Sequence, residues 1–173
     1  VGDMLVQLLP IKAHVSIGSQ KHFLSNFVPI KEKINYEKLK TYIITTTKSA
    51  YKIFLIWTVM ICIIAVLYAM NIIDSATVFM ITMVFYVGDL ICVLIWCPFR
   101  IIMRSKCCTT CRIFNWDHLM MFSPFIVIRG VYTQTLVVLA FATWILWEVC
   151  IMMYPERFWE NSNVALKCSE CTD

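Results

Sequence analysis

Five of the nine cysteines of this chain stand in two short groups. The first group is Cys107-Cys108-Thr109-Thr110-Cys111, and the second is Cys168-Ser169-Glu170-Cys171. Each group contains a Cys-x-x-Cys, the spacing that lets two thiolates of one tight turn reach the same metal ion or close a disulfide. The first group lies in a basic loop between apolar stretches, far along the chain from the second. The pattern therefore predicts a composite site that the fold assembles.

A metal ion is the expected occupant of this site. Zinc and iron–sulfur centres both take thiolate ligands, and two Cys-x-x-Cys turns supply four of them. Cys108 and Cys111 would pair with Cys168 and Cys171, and Cys107 is a spare that could replace Cys108. Zinc is favoured if the site is structural. An iron–sulfur cluster is favoured if the site passes electrons, because zinc is redox-inert.

Three other functions remain open. The cysteine pairs could exchange disulfides in a thiol–disulfide redox protein, which needs one pair on the oxidising side of a membrane. The chain could instead be a non-catalytic accessory subunit of a larger membrane complex, or a homo-oligomer, with cysteines that only hold its fold. A fourth function is the transport of a soft metal ion past Cys92 and Asp89. No nucleotide-binding loop, zinc-protease motif or nucleophile elbow is present, which argues against a nucleotide-dependent enzyme.

The composition predicts a membrane protein. Of the 173 residues, 60% are hydrophobic and 15% are charged, against roughly 45–50% apolar and about 25% charged residues in soluble domains. Three apolar stretches, 53–70, 76–99 and 131–154, match the about 20 residues that cross a bilayer. A fourth, 119–128, is too short to cross alone and contains Pro124, which would bend it. We expect an all-α integral membrane protein, a small helical bundle of three full spans plus a short, bent or broken fourth segment.

Basic residues predict the orientation of this bundle. Residues 1–52 hold eight lysines against three acids, a net charge of +5. The loop 98–116 carries Arg100, Arg104, Lys106 and Arg112 and no acid. Because cytoplasmic loops are rich in lysine and arginine, the N-terminus and the first cysteine group are expected in the cytoplasm of a multi-pass cell-membrane protein.

The short stretch 119–128 decides the side of the C-terminal tail. If it crosses, the tail lies in the cytoplasm beside the first cysteine group. If it is re-entrant, the tail lies outside. The tail after residue 154 has a net charge of −2, but acidic residues contribute little to orientation. Neighbouring helices can satisfy the backbone groups that Pro124 frees, and we favour the same-side arrangement.

The segment before the first span is basic and patterned. Lysines between 31 and 48 interleave with Ile34, Leu39, Tyr42 and Ile43 at near-helical spacing. This pattern is typical of a basic amphipathic helix on the anionic inner leaflet of a bilayer, or of a cytoplasmic helix with a solvated charged face. Beside a span, lipid is a better partner than nucleic acid, and we expect no nucleic acid. The apolar patch 4–9 is interpreted as interfacial or partner-binding.

Four polar residues are expected at membrane depth. Asp89 and Cys92 share one helix face with Trp96, and Cys97 follows directly. An ionisable residue near the bilayer centre is costly and indicates a function, although Asp89 could simply pair with Arg129. His118 is either a further metal ligand or a residue at the start of a helix. Cys62 and Cys150 lie inside apolar stretches and are expected to be small core residues.

Several of these residues carry a resemblance. The resemblance rests on three runs: Gly88-Asp89-x-x-Cys92, Trp96-Cys97-Pro98-Phe99, and the stretch from Cys107-Cys108 through Cys111-Arg112-Ile113-Phe114-Asn115-Trp116-Asp117. On these runs the chain resembles a group of small integral membrane proteins of bacteria, mainly anaerobic Gram-positive bacteria. The run 154–158 and the pair Cys168 and Cys171 fit the same pattern. The resemblance thus covers about residues 51–173. In that group the tail continues to one more cysteine, which this chain lacks. The resemblance supports the cysteines as one unit and implies no activity.

The expected organisation has three parts. Residues 1–50 form a cytoplasmic or interfacial basic segment, residues 51–155 form the transmembrane bundle with a cysteine-rich loop at 98–117, and residues 156–173 form a cysteine-containing tail.

Overall fold

The computed structural model describes residues 2–9, 20–31, 33–104 and 110–167. Within these ranges the chain is helical, apart from turns and one isolated bridge between Pro29 and Asn163. The α-helices are α1 (Gly2–Leu8), α2 (Tyr36–Ala69), α3 (Ser75–Leu94), α4 (Phe99–Met103), α5 (Asp117–Phe122) and α6 (Val131–Met153). The all-α prediction is therefore confirmed for the part of the chain that the structure describes.

Three of the helices, α2, α3 and α6, are long and apolar enough to cross a membrane. They contain most of the three predicted spans. Much of their apolar surface faces outward, including Met80, Val84 and Val87 of α3, which are each more than half exposed. A soluble monomer rarely exposes such a continuous apolar surface. This surface is consistent with the predicted membrane protein.

Helix α2 is longer than a bilayer requires. Its 34 residues span about 51 Å, whereas the hydrocarbon core of a bilayer is about 30 Å thick. The helix begins where Asn35 Oδ1 accepts a hydrogen bond from the amide of Lys38 (3.1 Å). The basic segment before the first span is thus the beginning of that span's own helix, and the expected boundary between residues 50 and 51 falls inside α2.

The apolar face of the basic part of α2 packs against the protein itself. Leu39 is buried, Tyr42 stacks on Trp159 with ring centroids 5.8 Å apart, and Ile43 packs beside Trp147. The lysines at 38, 40 and 48 are exposed. This arrangement matches a helix with a solvated charged face. Protein covers the apolar face of this part of α2, so that face is not available to lipid. Contact between the exposed lysines and an anionic leaflet stays a prediction.

A tight turn joins α2 to α3. Asn71 has a φ of 55°, a left-handed conformation that asparagine tolerates better than most residues. Asp74 then caps α3, with its Oδ1 accepting hydrogen bonds from the amide (2.8 Å) and the hydroxyl (2.6 Å) of Thr77. We call this end of the bundle the turn end.

The short apolar stretch changes helix type at Pro124. A 3-10 turn at Phe114–Trp116 leads into α5, and a second 3-10 turn follows at Ser123–Val127. The change from α to 3-10 geometry coincides with Pro124, which cannot donate the next helical hydrogen bond. We call residues 114–128 the return segment. Trp57 of α2 donates to Ser123 Oγ (3.0 Å), and Phe125 stacks on Phe79 near the start of α3, so this segment runs toward the turn end.

Helix α6 brings the chain back. Its first half packs through Leu136, Val137 and Ala140 against Phe125 and against Met4 of α1. Met4, in the patch interpreted as interfacial or partner-binding, is thus buried in the bundle. The second half of α6 carries Trp147 and Ile151, which contact Phe158 beyond the helix. The chain after α6 therefore lies at the end of the bundle opposite the turn, where α2 begins.

Candidate functional site

The predicted cysteine groups are described only in part. Cys107, Cys108, Cys168 and Cys171 lie outside the described residues. Cys111 is buried in a cluster with Met103, Ile113 and Trp116. Among the residues described, no three His, Cys, Asp or Glu side chains are placed to hold a metal ion. The residues next to each cysteine group are described, at 98–104 and 110–117 for the first group and at 155–167 for the second.

Tyr42 and Lys21 hold the backbone around Cys111. Tyr42 Oη donates to the carbonyl oxygen of Thr110 (3.3 Å), and Lys21 Nζ donates to that of Cys111 (3.4 Å). The ammonium of Lys21 also lies over the rings of Phe114 and Trp147, 5.7 Å from each centroid. We call this end of the bundle, defined by Lys21, Tyr42 and residues 110–112, the basic end.

An ion pair fixes the residue after Cys111. The Arg112 guanidinium donates from both terminal nitrogens to Glu148 (2.8 and 2.6 Å), and Trp116 Nε1 donates to the same carboxylate (2.9 Å). The side chains of Arg112 and Glu148 are 8% and 20% exposed. A two-pronged arginine–carboxylate pair is strong and specific in geometry. It joins the cysteine loop to α6, a contact between residues 36 positions apart that sequence patterns did not suggest.

The chain after α6 folds into a C-terminal strap, residues 155–167. It contains 3-10 turns at Pro155–Phe158 and Val164–Leu166. The strap pairs with residues 28–30: the amide of Val164 donates to the carbonyl of Val28 (2.9 Å), and that of Ile30 donates to the carbonyl of Ser162 (3.2 Å). The strap is thus anchored through its backbone, which its side-chain pattern did not reveal.

Asn163 is the centre of this anchor. It is fully buried, and its Nδ2 donates to the carbonyl of Arg157 (3.0 Å). Its Oδ1 accepts from the amides of Val28 and Ala165 (3.2 Å each). A buried amide that satisfies three backbone groups specifies one conformation, because each group left unpaired would cost about 1–3 kcal/mol.

Tyr42 connects the strap to the first cysteine group. Its hydroxyl binds Thr110, and its ring stacks on Trp159. Thr110 lies two residues after Cys108, and Leu166, which is buried, lies two residues before Cys168. Tyr42 therefore brings Trp159 of the strap and Thr110 of the first cysteine group to the same end of the bundle.

His22 is buried at the same end. Its ring centroid lies 4.4 Å from Trp147, and its carbonyl accepts from Arg157 Nη1 (2.8 Å). Burial is the main cause that lowers the pKa of His22 from its ordinary 6.5 to about 4. A contact with the Gln7 backbone raises this pKa, and the positive charges of Arg157 and Lys21 lower it further. The imidazole is therefore neutral in the folded protein at neutral pH.

This shift predicts an acid-sensitive fold. Between pH 6.5 and about 4 the unfolded chain binds a proton at His22 that the folded protein excludes, so stability decreases as the pH falls through that window. We expect a loss of about 2–3 kcal/mol in the free energy of unfolding between pH 7 and 4.5. Equilibrium unfolding in mixed detergent micelles measures it, and the His22→Phe variant should lose most of the dependence. Parallel curves for the two proteins would rule His22 out as the cause.

The predicted intramembrane residues divide between the two ends. Asp89, Cys92 and Cys97 line one cavity together with Cys111. Arg129 is exposed and precedes α6, four residues after Phe125. Phe125 packs on Phe79, and Phe79 lies ten residues, or about 15 Å of helix, from Asp89. A pair between Asp89 and Arg129 is therefore disfavoured by depth.

Two further sequence expectations have clear outcomes. Cys62 is exposed on α2 and Cys150 is half-buried, so the core assignment of Cys62 was wrong. The lipid-facing side of a span is as apolar as its inner side, and an apolar sequence cannot distinguish them. His118 is buried, and its Nδ1 lies 2.8 Å from Asp117 Oδ1.

The cavity is the second feature of this region. It has a volume of about 500 Å³ and lies among α2, α3, α4 and residues 111–121. Asp117 and Arg100 are on its wall beside the three thiols. The region between α3 and the return segment can therefore bring acids, a guanidinium and thiols to one apolar space.

Comparison with models of protein families, with curated proteins and with solved structures finds no match for this chain.

Proposed function

We propose that this chain is a multi-pass protein of the cell membrane whose basic end carries a metal site of cysteine thiolates. The ligands are drawn from Cys107, Cys108, Cys111, Cys168 and Cys171. The metal is zinc if the site holds the helix ends together and an iron–sulfur cluster if it passes electrons. The observation that carries this proposal is the packing of the strap on Tyr42 next to Thr110.

The basic end is assigned to the cytoplasm. Arg100, Arg104 and the lysines at the start of α2 all lie at this end, which agrees with the excess of lysine and arginine in cytoplasmic loops. Lys21 and the first turns of α2 belong to this end, whereas Met4 of α1 packs on the first half of α6. The exposed lysines of α2 would then face an anionic inner leaflet. The turn end, with Asp74, then lies outside.

The return segment has to act as the fourth crossing. Its two 3-10 turns hold 3 and 5 residues and α5 holds 6 residues, which together extend at most about 25 Å. The extended residues that follow make up the rest of the about 30 Å hydrocarbon core. Packing between α2, α3 and α6 shields its irregular backbone, the condition under which such backbone is tolerated at membrane depth. Four crossings return the tail to the cytoplasm.

The charges at the basic end favour a thiolate centre. A zinc ion with four thiolates has a formal charge of about −2. The buried Lys21 ammonium lies at the Cys111 carbonyl and stabilises negative charge there. Arg112 is paired with Glu148, and Lys21 adds a second positive charge from the N-terminal segment beside Cys111.

A second candidate is a thiol–disulfide redox protein. The observation in its favour is that Cys92, Cys97 and Cys111 line one cavity, where thiols could meet a reaction partner. In this case the purified protein would contain no metal and would change its number of free thiols on oxidation.

Metal analysis of matched variants tests the composite site. We expect anaerobically purified protein to contain one equivalent of zinc, or iron with a visible charge-transfer band. Asn163→Ala should release the strap and lower bound metal several-fold after mild chelation, although it removes no cysteine. Asn161→Ala, an exposed asparagine two residues away, is the control and should retain its metal. Metal-free wild-type protein, or equal metal in both variants, would overturn the composite site.

A further inference from the structure

We infer that the cavity beside α3 binds a lipid-soluble ring compound with a carbonyl or hydroxyl edge, the chemistry of a quinone. This inference does not depend on the metal site. The cavity of about 500 Å³ lies within the range of about 300–1,000 Å³ that is typical of small-molecule sites. It lies between described parts of α2, α3, α4 and the return segment.

The wall of the cavity suits a flat ring. It is largely apolar, with aromatic side chains from four parts of the chain, namely Trp57, Phe85, Trp96, Phe99 and Phe114. Aromatic walls attract ring systems by stacked and edge-to-face contacts, beyond the effect of area burial. A flexible acyl chain gains none of this geometry-dependent attraction.

The polar groups of the wall suit a hydrogen-bonding edge. Arg100 can donate to a carbonyl oxygen, and the carboxylates of Asp89 and Asp117 can accept from a hydroxyl. A few convergent polar groups in an apolar pocket fix the orientation of a ligand. A hydrocarbon tail makes no hydrogen bond, and a strongly charged metabolite would lose its hydration against the apolar wall.

The position of the cavity indicates where its occupant comes from. Val84 and Ile91 of α3 line the cavity and are 65% and 46% exposed. This surface belongs to a helix apolar enough to cross a membrane. A ligand that enters past α3 therefore comes from the bilayer, which selects lipid-soluble compounds.

Gly88 provides a direct test. It lines the cavity, and a Cβ added to it would meet no atom within 4 Å. A larger side chain at this position therefore has room at its Cβ, and we expect it to take up part of the cavity. Alanine at the same position adds one methyl group and should strengthen the helix, which makes Gly88→Ala the control for Gly88→Phe.

Binding is measured in phosphatidylcholine nanodiscs by titration with menadione, a small quinone. Quenching of the tryptophans in the cavity wall should saturate in the wild-type protein. Gly88→Phe should raise the apparent dissociation constant for menadione about tenfold or more. Gly88→Ala should stay within about twofold. Quenching that grows linearly and equally in all three proteins would show partition into lipid only and would overturn the site.

A thiol readout separates occupancy from quenching artefacts. Cys92 and Cys97 line the cavity, so saturating menadione should slow their alkylation by a lipid-soluble maleimide severalfold. Menadione can itself react with thiols, so mass analysis after its removal must recover unmodified protein. The exposed Cys62 is the internal control and should react at an unchanged rate. Equal protection of Cys62, or no protection of Cys92 and Cys97, would contradict the proposal.

Discussion

Replacing Glu148 by alanine is expected to lower the free energy of unfolding by about 3 kcal/mol. The change leaves the Arg112 guanidinium, 8% exposed, without the carboxylate that now accepts both of its terminal nitrogens. An uncompensated buried charge is among the most costly single defects in a protein. The expected loss is at the low end of the range for buried pairs because Glu148 is 20% exposed. Equilibrium unfolding in mixed detergent micelles measures the loss.

The double variant Arg112→Met and Glu148→Met is the control. Removing both charges abolishes the desolvation cost as well as the attraction, so apolar replacements of a buried pair are often close to neutral. We expect it to be more stable than Glu148→Ala alone. A double variant that is less stable than either single variant, or a Glu148→Ala loss below about 1 kcal/mol, would show that the pair does not anchor the cysteine loop to α6.

Replacing Trp147 by alanine is expected to destabilise the protein by about 3–5 kcal/mol. Trp147 is 1% exposed and packs on the rings of His22 (4.4 Å) and Phe158 (5.4 Å). Its loss opens a cavity between α6, the strap and the N-terminal segment. The strap should then exchange its amide hydrogens much faster than the first half of α6 does, which hydrogen exchange with mass spectrometry detects.

Two variants calibrate this result. Trp147→Phe keeps most of the ring contacts, and Trp147 Nε1 has no hydrogen-bond partner among the described residues, so phenylalanine should cost much less than alanine. Ile145→Ala removes a side chain that is 51% exposed on the same helix and should leave exchange in the strap unchanged. Equal exchange in all variants would mean that Trp147 does not hold the strap.

The architecture followed from composition and from single residues. Long apolar stretches need helices to satisfy their backbone in lipid, and the helices at 36–69, 75–94 and 131–153 are where these stretches lie. Pro124 likewise predicted a local break in the α-helical geometry of the short stretch, which changes to a 3-10 turn there. Such features depend on residues that are close together in the sequence, so one sequence is enough to predict them.

The contacts that build the basic end could not be predicted in the same way. Arg112 and Glu148 are 36 residues apart, and Asn163 meets Val28 across 135 residues. Polar residues such as Asn163 give no sign in the sequence that they are buried, because their partners are backbone groups. The apolar positions Leu39 and Tyr42 predicted an amphipathic face, but lipid and protein satisfy such a face equally well. Only the fold identifies the strap as its partner.

Labelling of cysteines from each side of the membrane tests whether the two cysteine groups form one site. Intact cells or right-side-out vesicles are treated with a membrane-impermeant maleimide, before and after the membrane is opened and the metal is chelated. If the two cysteine groups form one cytoplasmic metal site, Cys168 and Cys171 will react only in opened, chelated membranes, together with Cys107 and Cys108. Labelling of Cys168 or Cys171 from outside intact cells would place the two groups on opposite sides of the membrane and would contradict the composite site.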